Sequence, residues 1–148
     1  AFDAVPLAGE VLANGYTSAE MELMDGVGRV MDAGRIRMSA TIVHVPVFYS
    51  HCQSVNIETV KKISPDQVRS LLGRAPGIKV ADDASSGLYP LPVYATGKDD
   101  CFVGRIREDL SLENGIVLWS VMDNVRKGAG LNAVQIAEHL ISMDSGQA

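Results

Sequence analysis

The sequence predicts an α+β fold, a mostly antiparallel sheet with flanking helices, and three observations carry that prediction. Several short segments alternate apolar and polar residues as strands do, they lie in runs between helical segments, and no strand-helix unit repeats along the chain. With 148 residues, 47% of them hydrophobic, the chain is long enough to bury a core, and one domain over 1–148 is expected.

The first helix is expected to start near Ser18, because Thr17 and Glu20 have the spacing with which a capping hydroxyl and an acid satisfy the free amides of a helix start. Met21, Met24, Val27, Val30 and Met31 then form one apolar stripe, weakened by Gly26 and Gly28. Ser39 to Tyr49 reads as a strand with Thr41, Val43, Val45 and Val47 on one face, and Pro46 marks it as an edge or bulge. Val55 to Val60 alternates likewise, and the short link through Ser50, His51, Cys52 and Gln53 predicts that the two strands are antiparallel neighbours. Ser64, Pro65 and Gln67 open a short helix that Gly73 stops, burying Val68, Leu71 and Leu72. Asp82 to Leu91 is loop-like. Further strands are expected at Val93 to Thr96, Cys101 to Arg107 and Ile116 to Met122. After Gly128 and Gly130, a last amphipathic helix carries Leu131, Val134, Ala137, Leu140 and Ile141 on one face.

Eighteen acidic against 13 basic residues give a formal charge of -5, distributed along the chain, which points away from nucleic acid and membrane surfaces as partners. No apolar run approaches the ~20 residues of a transmembrane helix, and the N-terminus lacks a secretory pattern, so a cytoplasmic location is expected. Cys52 and Cys101 lack metal-ligand spacing and read as reduced packing residues. Ala1 in place of Met, followed at once by an apolar run, gives the expectation of a piece of a longer protein, and Ser145 to Ala148 reads as a frayed end.

The sequence has neither a phosphate loop nor a GxGxxG turn, so it is not expected to hold a dinucleotide alone. His44 and His51 have the residue type for proton transfer near neutral pH. Arg105 and Arg107, two apart on one strand, have the spacing to share a face and grip a carboxylate or phosphate, or else to stand in solvent. Arg126 and Lys127 precede a helix start, where anions are favoured. The lone Trp119 is expected in the core.

In order along the chain, Gly15-Tyr16-Thr17-Ser18-Ala19-Glu20-Met21, Ser39-Ala40-Thr41, Val45-Pro46-Val47-Phe48 with His51, Gly97-Lys98-Asp99-Asp100, Val103 to Ser111, and Asp123 to Ala129 resemble the aspartate-semialdehyde dehydrogenase family. The resemblance is to that family's C-terminal half, its dimerisation and substrate domain, and implies a homodimer. In the family, an N-terminal domain holds NADP and a nucleophilic cysteine, whose place would lie upstream of residue 1. The family reaction passes through a thioester on that cysteine, with hydride from NADPH and phosphate as the other reactant.

The resemblance puts His51 on the family's proton-transferring histidine and Asn124 on a residue that approaches the nicotinamide end of NADP. Three substrate contacts are altered. His44 stands where the family has an arginine that forks onto the substrate carboxylate, and imidazole does not reproduce a bidentate guanidinium. Ala19 stands for the glutamate that holds the substrate amino group, and Glu22 for the lysine that binds phosphate. Ser50 also replaces the glycine usual before the histidine. A lost charge-assisted contact is worth ~1.5–3 kcal/mol, so a degenerate substrate site and an inactive chain are expected. Two other readings stay open: a dehydrogenase half completed by a separate nucleotide-binding chain, and a non-enzymatic homodimerising module. The last helix resembles the one that packs on the nucleotide-binding domain, making that domain a further expected partner.

Overall fold

A computed structural model describes residues 2–32 and 36–144. The chain divides into two units, Ala1–Val47 and Phe48–Ala148.

In the first unit, α1 (Ser18–Val30) begins at the expected place. Thr17 Oγ1 accepts from the Glu20 N–H at 3.3 Å, and Glu20 Oε2 accepts from the Thr17 N–H at 2.8 Å. Along the apolar stripe Met21, Met24 and Val27 are half-buried, whereas Val30 and Met31, in the last turn and just beyond it, are exposed. The expected strand from Ser39 to Tyr49 does not form. Only His44 makes a ladder contact, an isolated antiparallel bridge to Val5. Its neighbours' backbone groups go elsewhere: the Ile42 N–H donates to Glu20 Oε1 at 2.9 Å, Pro46 has no N–H, and the Val47 N–H turns back to the Val45 carbonyl at 2.8 Å. A ladder needs alternate N–H groups facing one partner, and these three positions interrupt that alternation.

The second unit is built on a four-stranded sheet of order β1-β4-β3-β2, with β1 (His51–Glu58), β2 (Ile78–Val80), β3 (Cys101–Glu108) and β4 (Gly115–Met122). β1 and β3 run antiparallel to β4, and β2 runs parallel to β3. The antiparallel neighbour of β1 is thus β4. α2 (Pro65–Leu72) has its expected cap at Ser64, with Gly73 closing it. Val68 and Leu72 of α2 pack with Ile63, Ile78, Val80 and Leu118 against the buried Val103, Ile106 and Ile116, while Leu71 of the same helix is exposed.

The expected strand at Val93 to Thr96 is a single helical turn, α3 (Pro92–Ala95). Pro92 at its first position fixes a helical φ and needs no hydrogen-bond acceptor, and Thr96 Oγ1 donates to the Pro92 carbonyl at 2.8 Å. Trp119 is half-buried, its Nε1–H donating to the Pro90 carbonyl at 3.1 Å. The last helix, α4 (Leu131–Asp144), leaves Val134, Ile136, Leu140, Ile141 and Met143 exposed in this chain.

β3 is not a regular strand. Gly104 pairs with Trp119 and Arg107 with Val117, so three steps on β3 match two on β4, which is a β-bulge. Val103 is buried, and regular alternation would drive Arg105 into the same core. The extra residue resets the parity: Ile106 is buried at 3% exposure and Arg105 points outward, with φ +55°. Ile106 loses its ladder partners but not its hydrogen bonds. Its N–H donates to Asp82 Oδ2 at 3.2 Å, and its carbonyl accepts from Arg69 Nη2 at 2.7 Å. Arg69 Nε and Asp82 Oδ2, 2.7 Å apart, close this clamp, and that contact holds the Arg69 guanidinium above its ordinary pKa.

Candidate functional site

His51 opens β1 at an edge of the sheet, and its exposed imidazole makes no hydrogen bond among the described residues. The residue before it decides how it leaves the turn. Ser50 is buried and has φ +79°, a region that L-residues seldom enter and glycine enters freely. Its N–H donates to Asn124 Oδ1 at 2.9 Å. Its Oγ lies 3.3 Å from both the Pro92 carbonyl and Thr96 Oγ1.

Asn124 sits just past β4, beside the buried Asp123. The Asp123 carboxylate accepts from the Gly97 N–H at 2.7 Å, the Val125 N–H at 2.9 Å and the Arg126 N–H at 3.2 Å. These backbone donors, Gly97 foremost, hold the Asp123 carboxyl below the usual carboxylate range. Asp123 was legible only as part of a motif; its reach to Gly97 follows from the fold. A backbone N–H can only donate, so the atom of Asn124 that faces Ser50 is the carbonyl oxygen. The Nδ2 donor of Asn124 makes no hydrogen bond among the described residues.

Arg105 and Arg107 both line one open hollow of about 470 Å³, together with Tyr89, Leu91 and Trp119. They do not share a regular strand face, since the bulge lies between them. Arg107 Nη1 donates to the Arg105 carbonyl at 2.7 Å, which holds one guanidinium along the bulge, and both arginines are exposed. Arg126 is paired with Asp99, and Lys127 Nζ donates to Gln135 Oε1 at 2.9 Å, so both cations expected at the helix entry have partners within the chain. Cys52 and Cys101 are free and half-buried, and burial pushes the Cys52 thiol up.

The first unit holds the other residues singled out. Ala19 is half-buried on α1, and Glu22 is exposed on the same helix. Glu20 between them is buried and committed to Thr17 and Ile42, whose N–H groups depress its pKa. The His44 imidazole is exposed, and its backbone carries the bridge to Val5. No helix is long and apolar enough to cross a membrane among the described residues, and no His, Cys, Asp and Glu cluster there could hold a metal ion.

The mixed sheet with flanking helices is the architecture of a semialdehyde dehydrogenase dimerisation domain, and the family of that description matches residues 1–127. The chain belongs to this family. Aspartate-semialdehyde dehydrogenase of Aquifex aeolicus is 45% identical over 141 residues, covering 95% of this chain and 42% of the relative. That of Legionella pneumophila is likewise 45% identical over 141 residues, covering 95% of this chain and 41% of the relative. The crystal structure of aspartate semialdehyde dehydrogenase II from Vibrio cholerae superposes with a TM-score of 0.90 at 42% identity, over 95% of this chain and 42% of that one. The chain thus spans about two-fifths of the length of the relatives it matches.

Proposed function

We propose that residues 1–148 serve as the dimerisation and substrate half of an aspartate-semialdehyde-dehydrogenase-like protein, with His51 as its proton carrier and a substrate site too altered for ordinary turnover. The observation that carries this reading is the 45% identity to an aspartate-semialdehyde dehydrogenase over 95% of the chain, and His51 at a strand start supports it. The family reaction interconverts aspartyl phosphate and aspartate semialdehyde, and NADP supplies the hydride chemistry when bound. The residue of this chain that fits the cofactor is Asn124: its oxygen is held by the Ser50 N–H, which leaves Nδ2 as a donor towards a carbonyl acceptor. An exposed imidazole at the edge of the sheet is placed to take or give a proton at either ring nitrogen.

His44, Ala19 and Glu22 are the reasons for expecting weak turnover. An imidazole offers no guanidinium fork, a methyl group offers no acceptor, and an exposed carboxylate repels phosphate. The partners are a second copy of the chain and a nucleotide-binding domain seated on the apolar face of α4.

An NADPH-linked assay with aspartate semialdehyde and phosphate tests the reading, using the chain alone and then mixed with the nucleotide-binding half of a relative. The expected result is no turnover alone and little or none in the mixture, with assembly confirmed by light scattering. Turnover at a relative's level in the mixture would overturn the degenerate site and establish a dehydrogenase half completed by a separate chain. Failure of the chain to associate with itself or with that half would remove the proposed partners.

A further inference from the structure

We infer that Ser50, Thr96 and Asn124 are positioning residues for His51, fixing from behind the direction in which its imidazole leaves the sheet edge. This rests on the reading of His51 as the proton carrier. The imidazole has no hydrogen bond of its own among the described residues, so its placement depends on the backbone that presents it. That backbone turns at Ser50 through φ +79°, where an L-residue is strained. The strain persists only if the surroundings hold it, and two segments converge to do so. Asn124, beyond β4, takes the Ser50 N–H; Pro92, opening α3, presents its carbonyl to the Ser50 hydroxyl; Thr96, just past α3, sets its own hydroxyl beside it.

Proton accounting closes the cluster. Thr96 Oγ1 donates its one hydrogen to the Pro92 carbonyl, so the single hydroxyl hydrogen of Ser50 is shared between that carbonyl and the lone pairs of Thr96 Oγ1, each 3.3 Å away. Asn124 is itself anchored, since the neighbouring Asp123 carboxylate holds the Gly97 N–H one residue after Thr96. A glycine at position 50 would reach the same turn without strain but with no hydroxyl to tie it to α3. Serine exchanges that freedom for a latch, which couples the direction of His51 to the 92–97 segment.

The experiment is NMR on the 148-residue chain, with labelled histidine and serine, reading the His51 χ1 couplings and the hydrogen exchange of the Ser50 amide. The parent is expected to show one His51 rotamer and a protected Ser50 N–H. In Thr96→Val, which keeps the side-chain shape, and in Asn124→Ala, the Ser50 amide should exchange about tenfold faster and the His51 couplings should average, with the α2 and β3 amides unchanged. Thr96→Ser, which restores the hydroxyl, should restore both signals. Unmoved His51 couplings and Ser50 exchange in Thr96→Val and Asn124→Ala would overturn the inference. If Asn124→Ala fails to fold, the Thr96→Val and Thr96→Ser pair decides alone. His51→Asn in the NADPH-linked assay addresses the proton-carrier reading separately, because the NMR signals do not depend on turnover.

Discussion

Asp123 shows how one carboxylate can tie together two stretches of backbone. Because the N–H groups of Gly97, Val125 and Arg126 favour its charged form, its folded pKa lies below that of the unfolded chain. The stability it contributes is complete above the unfolded value, near ~4, and is lost as pH falls through the folded one. Asp123→Asn should therefore be less stable than the parent at pH 7 and approach it at pH 3, which urea melts at both pH values would check; an equal deficit at both would exclude the charge as the cause. Glu20, Asp83 and Asp109 are depressed in the same direction by their own hydrogen bonds, so acid should weaken the whole chain over this range. Asp82 acts differently, through the clamp with Arg69 and Ile106. Asp82→Ala should cost about 2 kcal/mol in a denaturant titration, the usual loss for a hydrogen bond to a charged group.

At the scale of elements, what the sequence disclosed is what depends on near neighbours. The caps of α1 and α2 were legible because Thr17 with Glu20 and Ser64 with Gln67 carry their partners within three residues. Replacing Ser64 by Ala should remove about 1 kcal/mol, measured as a shift in the urea midpoint with unchanged slope. β3 and β4 announced themselves by apolar and β-branched residues. The segment from Ser39 to Tyr49 has the same composition and forms no strand, because Glu20 captures an amide that a ladder would use. β2 has only three residues, too few to show alternation. The bulge left no local sign, although Gly104 is required there: a Cβ would lie 2.1 Å from the Ala81 carbonyl oxygen. Gly104→Ala should cost about 3 kcal/mol or prevent cooperative unfolding, and a melt superimposable on the parent's would contradict that close approach. His51 and Asn124 came into view through family resemblance. Their connection through the Ser50 N–H spans 74 positions and was not legible.

For the molecule as a whole, burial is uneven. The second unit has a defined core beneath α2, whereas α4 presents Ile136, Leu140 and Ile141 at 61%, 57% and 68% exposure. Apolar surface of that kind favours a covering partner. We expect the chain to be a homodimer in light scattering, with a clean monomer at high concentration as the contrary result. We also expect Leu140→Glu to weaken capture of a nucleotide-binding half while leaving the dimer intact. Loss of self-association in that variant would move α4 into the dimer interface instead.

The bulge in β3 also makes the chain intolerant of a particular kind of change. Residues before and after it are in opposite phase, so the strand behaves like a text with one inserted letter. Removing Arg105 would restore a continuous ladder in which Ile106 keeps the side of Val103 and Arg107 keeps Val117 opposite it. Removing Ile106 would also close the ladder, but with Arg105 two residues after Val103, placing a guanidinium where the core now has an isoleucine. Deletion of Ile106 should therefore be far more damaging than deletion of Arg105, and a deletion scan read out by soluble yield would display that asymmetry directly.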